Sequence, residues 1–435
     1  MRRIAWSFGL GLSLMLATSS MAAAQTPLSE ILVRLIQADV ILAPPPAGAL
    51  SHSAHFVPGE QERIAPYLFN SAILSQLTTF PIGSSSGGFT YTFDPTVGSF
   101  TRAASSFGPA FAERALTIGR GKFSLGANYQ YSSYNTFEGK DLKDGSIKFY
   151  LQHAPTGGAF FEGDVIQTAL NLSLTTNTFV MFANYGATDR LDVGIAVPVI
   201  SVKMDATVNA TVLRFATAGA NPPIHQFQNG TDSNTFHAAG SATGIGDILL
   251  RAKYRFYDTK GGGLAGGLDL RLPTGDQANL LGSGAAQGKV LLVGSTTYDR
   301  FAPHVNVGYT FSGSSNSPFF TPASEVNYTV GTEIVASPRV TVNADFVGRT
   351  LRNLGRLQEQ PRTFTFFNPF SNTNGSTTVQ EFALQSGSLN LLMGAGGVKF
   401  NPAANLLISA NLLFPLTQAG IRARVTPVIG VDYAF

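Results

Sequence analysis

Apolar and polar positions alternate along most of this chain from residue 121 to its end. Within 339–349, Val340, Val342, Ala344 and Phe346 fall on one face and Thr341, Asn343, Asp345 and Arg349 on the other. A period of two predicts a β-strand. The same pattern sets Ile248, Leu250, Tyr254 and Phe256 against Asp247, Arg251, Lys253 and Arg255, and Leu268, Leu270 and Leu272 against Asp269 and Arg271. It recurs in Leu406, Ile408, Leu412 and Phe414 against Ser409 and Asn411, and in the closing VTPVIGVDYAF, where Val425, Pro427, Ile429, Val431 and Tyr433 share a face. Many of these apolar faces end in Tyr or Phe, as at the aromatic girdles of a membrane barrel.

Twelve strands are predicted, near 122–134, 166–185, 191–205, 245–257, 264–274, 289–300, 304–312, 324–334, 339–349, 384–399, 405–415 and 423–435. Tight connections (186–190, 258–263, 301–303, 335–338, 400–404) alternate with longer polar or glycine-rich ones (135–165, 206–244, 275–288, 313–323, 350–383, 416–422). The expected fold is therefore all-β: a transmembrane antiparallel up-and-down β-barrel of about twelve strands, with short periplasmic turns and long external loops. An even count leaves both barrel ends in the periplasm. Phe435, last on an alternating strand, is expected to close the barrel and to be read by the barrel-assembly machinery.

The N-terminal part reads differently. Arg2 and Arg3 precede an apolar run, Ile4 to Leu16, and small residues ending at Ala24. This predicts a secretory signal peptide over 1–24, with a twin-arginine signal as the alternative. In the segment 25–121, Leu28–Leu42 and Gln61–Leu77 have helical apolar spacing, the first stopped by Pro44-Pro45-Pro46. Residues 87–122 are turn-rich and aromatic. The segment is expected to form a lumenal plug, over 78–121, or a periplasmic cap ahead of a barrel at 122–435; a loosely ordered leader is the remaining alternative.

Composition narrows the setting. Basic residues number 29 and acidic 26, and losing Arg2 and Arg3 with a signal peptide brings the two nearly level, which argues against a nucleic-acid partner. There is no cysteine, so neither disulfides nor thiolate chemistry enter. Charged residues are 13% of the chain and glycines number 46, which suits a lipid-facing β-structure. After the leader no apolar run reaches about 18 residues. Crossing a membrane then requires a closed barrel, because lipid offers no partner to unpaired backbone groups. The expected location is the bacterial outer membrane, with its lipid as a partner.

Several stretches bear on chemistry. Gly244-Ile-Gly-Asp247 lacks the strand-before, helix-after context of a dinucleotide loop, and Leu272-Pro-Thr-Gly-Asp276 has turn composition; both are read as structural. His52, His55, His153, His225, His237 and His304 are scattered, no pattern sets one beside a serine, and His-Glu-x-x-His does not occur. No catalytic residue, metal site or cofactor is expected. Inward charges are: Asp192, Asp247, Arg251, Lys253, Arg255, Asp269, Arg271, Asp345, Arg349, Arg424 and Asp432. They fit either an ion-pair lattice stiffening the wall or a polar constriction sorting solutes. Phe364, Phe366, Phe367 and Phe370, with Phe319 and Phe320 in another loop, would dip into the outer leaflet or line an apolar vestibule.

The runs YGATDRLDVGIAVPV (185–199), GIGDILLRAKYRF (244–256), LDLRLPTGD, LGSG (281–284), NVGYTF (306–311) and the closing NLLFPL…VTPVIGVDYAF resemble, in order, the outer-membrane barrels of the MetA-pathway of phenol degradation family. The resemblance covers about 120–435 and rests most on Gly244–Asp247 and Pro273–Asp276. It implies a barrel in the outer membrane and supplies no site residues. The N-terminal segment and the apolar loops are similar, more weakly, to the FadL group of hydrophobic-solute channels. Together these expectations describe a passive channel for small apolar or aromatic solutes, the alternative being a barrel that anchors or scaffolds at the cell surface.

Overall fold

A computed structural model describes residues 26–44, 56–58, 60–77, 88–94, 96, 99–154, 162–259, 261–315, 322–403 and 405–435. Twelve strands close a barrel: β1 (Phe123–Phe137), β2 (Val165–Gly186), β3 (Leu191–Leu213), β4 (Ile248–Thr259), β5 (Gly262–Leu272), β6 (Gln287–Ser295), β7 (Phe301–Ser312), β8 (Glu325–Ser337), β9 (Val340–Asn368), β10 (Thr373–Ala403), β11 (Leu406–Pro415) and β12 (Thr426–Ala434). Each pairs antiparallel with its successor, and β12 closes on β1 from Val428↔Gln130 to Ala434↔Ser124. Closure leaves no strand edge open to lipid. At the seam the Phe435 N–H donates to the Phe123 carbonyl at 2.8 Å, and the two rings lie 5.9 Å apart. Every strand of the wall turns large apolar side chains outward, among them Phe179, Ile195, Leu250, Leu268, Leu292, Val307, Val330, Phe346, Val398, Leu412 and Ile429. This is the lipid-facing band of an outer-membrane barrel.

Short turns and long connections alternate as the spacing predicts, but three predicted loops contain strand. The connection 350–383 is instead the continuation of β9 and β10, paired from Leu354↔Gly387 up to Asn368↔Thr373. β3 runs on to Leu213 and pairs with a strand at Ser233–Ile245, and Ile147–His153 pairs with the start of β2. One turn also shifts: β6 ends at Ser295, and the hairpin to β7 tightens at Tyr298 and Phe301, with Asp299 left-handed (φ 50°).

A lipid-spanning strand needs only about 9–11 residues, so these ribbons rise well past the membrane, and their polarity reverses as they do so. On β3 the outward residues are Val193, Ile195, Val197 and Val199, then Ser201, Lys203, Asp205, Thr207 and Asn209; the inward ones run from Asp192, Gly194, Ala196 and Pro198 to Ile200, Val202, Met204, Ala206 and Val208. Below the change the wall is wetted by hydrocarbon outside and is polar inside. Above it, water lies outside and the apolar face turns in.

Two helices fill that upper interior. In α1 (Leu28–Gln37), Leu28, Ile31, Leu32, Leu35 and Ile36 form the buried stripe. The helix ends before the predicted Leu42; Val40 and Leu42 stay buried in an extended stretch, where the Ala43 N–H donates to the Gln226 carbonyl. In α2 (Glu60–Leu77), Phe69 stacks on Phe137 at 4.2 Å, and Phe382 packs on Phe137 and Phe149. Both helices join one core with Leu170, Leu172, Leu174, Met204, Val208 and Phe227.

Candidate functional site

Inside the membrane-spanning part, residues 104–121 run along the lumen toward the short-turn end without regular secondary structure. Their peptide groups need partners that a strand or helix would otherwise supply, and wall side chains supply many of them. The Phe107 N–H donates to Thr341 Oγ1, Gly108 to Glu333 Oε2, Phe111 to Asp345 Oδ2, Ala115 to Ser295 Oγ and Ile118 to both Asp192 oxygens, all at 2.9–3.1 Å. Glu113 and Asn306 exchange two bonds, at 2.7 and 2.8 Å. Lysines satisfy carbonyls: Lys253 Nζ reaches Arg114 and Leu116, and Lys399 Nζ reaches Phe107 and Pro109. The lumenal charges thus bind a peptide rather than lining an open water-filled ring.

The remaining inward charges divide by height. Arg251 bridges Asp269 at 2.7 Å and Glu113 at 2.8 Å, and Lys289 reaches Asp269 at 2.9 Å. Higher up, Arg349 meets Glu325 at 2.5 Å and donates to the Ser75 carbonyl in the last turn of α2. At the short-turn end Arg255 sits 2.6 Å from Asp258 Oδ1, and on the seam strand Asp432 is buried opposite Gly126. His304 is buried with Nε2 2.7 Å from Asp345. Arg424 does not face the lumen: it is exposed, and Arg422, two residues earlier, is the buried arginine, because the chain breaks register between the short strand Ile421–Ala423 and β12.

Asp247 lies at the rim, tying together three motifs. Its Oδ1 accepts from the Gly275 N–H at 3.1 Å and its Oδ2 from Ser283 N–H and Oγ at 2.8 and 2.6 Å, while Thr274 Oγ1 donates to the Gly246 carbonyl. Backbones pass closely here. A Cβ on Gly282 would stand 2.5 Å from Asp247 Oδ1 and 2.6 Å from Gly275 Cα, so only glycine fits. α1 docks on this knot through Ser29 N–H to the Ala278 carbonyl.

The predicted aromatic cluster is largely packed. Phe364 is buried against Tyr150, with ring centroids 5.8 Å apart, and Phe366 stacks on Phe215 at 5.2 Å. Phe367 is half-buried and Phe370 is exposed. Phe319, Phe320, the proposed signal peptide, His52, His55 and residues 78–87 lie outside the described residues. Between the lumenal segment and the wall strands β4 to β9 remains a cavity lined by Phe111, Leu249, Leu291 and Val347 together with charged side chains.

Residues 154–351 match the family model described as Putative MetA-pathway of phenol degradation. No curated protein matches the chain. Among solved structures, a FadL homologue of Pseudomonas aeruginosa aligns at 12% identity over 83% of this chain and 99% of its own, with a TM-score of 0.35. The toluene transporter TbuX of Ralstonia pickettii aligns at 12% identity over 73% and 90%, TM-score 0.29, and the CymD monoaromatic hydrocarbon channel at 10% over 73% and 89%, TM-score 0.29. With its closed twelve-stranded wall, its lipid-facing band and the family match across β2 to β9, this chain is an outer-membrane β-barrel that resembles the MetA-pathway of phenol degradation family.

Proposed function

We propose that this barrel is a channel for passive uptake of small hydrophobic or aromatic molecules, with α1, α2 and residues 104–121 as its displaceable filling. One observation carries the reading: on β3 the inward face above the membrane is an unbroken apolar run, Ile200 to Val208, whereas within the membrane the neighbouring β4 and β5 turn Arg251, Lys253 and Asp269 inward. The interior of an aqueous pore is polar throughout. An apolar upper compartment instead lets a solute shed water before it reaches the lumen, and it is occupied here by helices that a solute competes with.

The chain's lack of cysteine makes the test clean. An added Cβ at Gly240 would stand 2.9 Å from Ile31 Cδ1, so Ile31→Cys with Gly240→Cys, joined by a short thiol cross-linker, tethers α1 to the wall. Uptake of radiolabelled toluene by cells producing the tethered protein is expected to fall to the level of cells lacking it, and cleaving the linker restores it. Equal uptake in the tethered and released states overturns the reading.

Assembly follows from the same wall. The exposed Phe435 ring, 4.7 Å from Tyr433, is presented on the final alternating strand as the residue that the assembly machinery reads. Deleting Phe435 is expected to leave more chain unassembled in the periplasm; unchanged membrane insertion overturns this part of the proposal.

A further inference from the structure

The cavity above the lumenal segment holds a guanidinium that no protein group among the described residues hydrogen-bonds. Its charged lining comprises four cations, Arg251, Arg271, Lys289 and Arg349, and three carboxylates, Glu113, Asp269 and Glu325. All three carboxylates are engaged: Asp269 by Arg251 and Lys289, Glu113 by Arg251, and Glu325 by Arg349. Arg271 has neither a hydrogen bond nor an ion pair among the described residues. Asp247, Glu325 and Asp269 act on its charge through space, but none of them accepts a hydrogen bond from it; both Asp247 oxygens accept from Gly275 and Ser283. Beside it in the β5–β6 register is Gln287, 7% exposed, which spends its amide N–H on Ser312 while its Oε1 is buried without a partner.

A guanidinium in a confined space whose N–H groups meet no acceptor on the protein is open to an acceptor-bearing ligand, and its fork matches a carboxylate. The cavity offers about 100 Å³ to the centres of water-sized spheres, where one water needs about 10–15 Å³, so more than solvent fits. Phe111, Leu249, Leu291 and Val347 supply apolar walls around it. We infer that this cavity is a transit site for a small aromatic carboxylate, its carboxylate on Arg271 and its ring among those four side chains. The inference rests on the uptake reading and narrows its solute class to organic acids.

Benzoate and its neutral counterpart benzyl alcohol are the probes, measured by calorimetry on the full chain in detergent. Wild type is expected to bind benzoate at least tenfold more tightly than benzyl alcohol. Arg271→Gln should lose that preference, and Arg271→Lys should retain part of it. Because Arg271 donates to no acceptor among the described residues, its replacement breaks no hydrogen bond there; the heat-modified gel shift of a folded barrel checks each variant. Equal affinities in wild type, or benzoate affinity unchanged in Arg271→Gln, overturns the inference. Toluene uptake separates the two readings: uptake without benzoate binding sinks the acid site alone, whereas Arg271-dependent binding without flux of either solute sinks the channel.

Discussion

Arg251 on β4 and Glu113 in the lumenal segment meet at 2.8 Å, joining the barrel wall to a stretch 138 residues earlier. The pair is nearly dry, and Arg251 is shared with Asp269. Because Arg251 keeps both its bonds to Asp269, losing Glu113 removes a charge-assisted hydrogen bond worth about 1.5–3 kcal/mol and leaves no bare charge. Glu113→Ala is therefore expected to loosen residues 107–118 while the wall stays folded. Hydrogen exchange of those amides should quicken by roughly tenfold to a hundredfold, given about 1.4 kcal/mol per tenfold. Unchanged protection would mean that the segment is held by its backbone bonds alone.

The knot around Asp247 makes a second prediction. Asp247→Ala leaves the Gly275 and Ser283 N–H groups without their acceptor, at about 1–3 kcal/mol for each group left unsatisfied. Gly282→Ala forces apart two backbones already in contact, at about 1–3 kcal/mol. Both variants should unfold at lower urea concentration than wild type. Because the two sites touch, the double variant should lose less than the combined losses of the single variants.

Phe364 and Phe370 sit six positions apart on one ribbon and are expected to respond oppositely. Phe364 is buried against Tyr150, so Phe364→Ala should cost about 3–5 kcal/mol and expose the upper ribbon to exchange. Phe370 is 51% exposed, and Phe370→Ala should change stability by less than about 0.5 kcal/mol. Were Phe364 instead a solute contact, its loss would cut uptake with the ribbon's protection intact.

The membrane-spanning wall was legible in the sequence because lipid outside and polar groups inside enforce one simple alternation. Twelve strands and their short turns follow from it. The upper ribbons were harder to read for a physical reason: past Ile200 the same alternation continues with its faces exchanged, so beyond the predicted strand end at 205 Thr207, Asn209 and Thr211 resemble a polar loop although Ala206, Val208 and Ala210 keep strict period two. RTFTFF in β9 carries the same signal, with Thr363 and Thr365 outside and Phe364 and Phe366 packed. The lumenal charges were visible as a set. Which of them bind peptide, which pair with each other and which stays alone depends on residues 104–121 and on α2, neither of which has a pattern that names its partners on the wall.

That exchange of faces gives the last prediction, made with one substitution at three positions of β3. Ile195 points outward below the change and is 41% exposed to lipid, so Ile195→Lys should cost about 2–4 kcal/mol near the bilayer midplane and less nearer the interface. Thr207 points outward above it, into water, and Thr207→Lys should fall within about 0.5 kcal/mol of wild type. Met204 points inward above the change and is fully buried in the apolar core around the helices. Met204→Lys would bury an unpaired ammonium there and should be the most damaging of the three, detaching α1 and α2 and raising conductance in planar bilayers. Urea titrations in lipid vesicles rank the three variants. A Thr207→Lys loss as large as that of Ile195→Lys would place the upper ribbon in hydrocarbon, and the apolar compartment above the membrane would no longer exist.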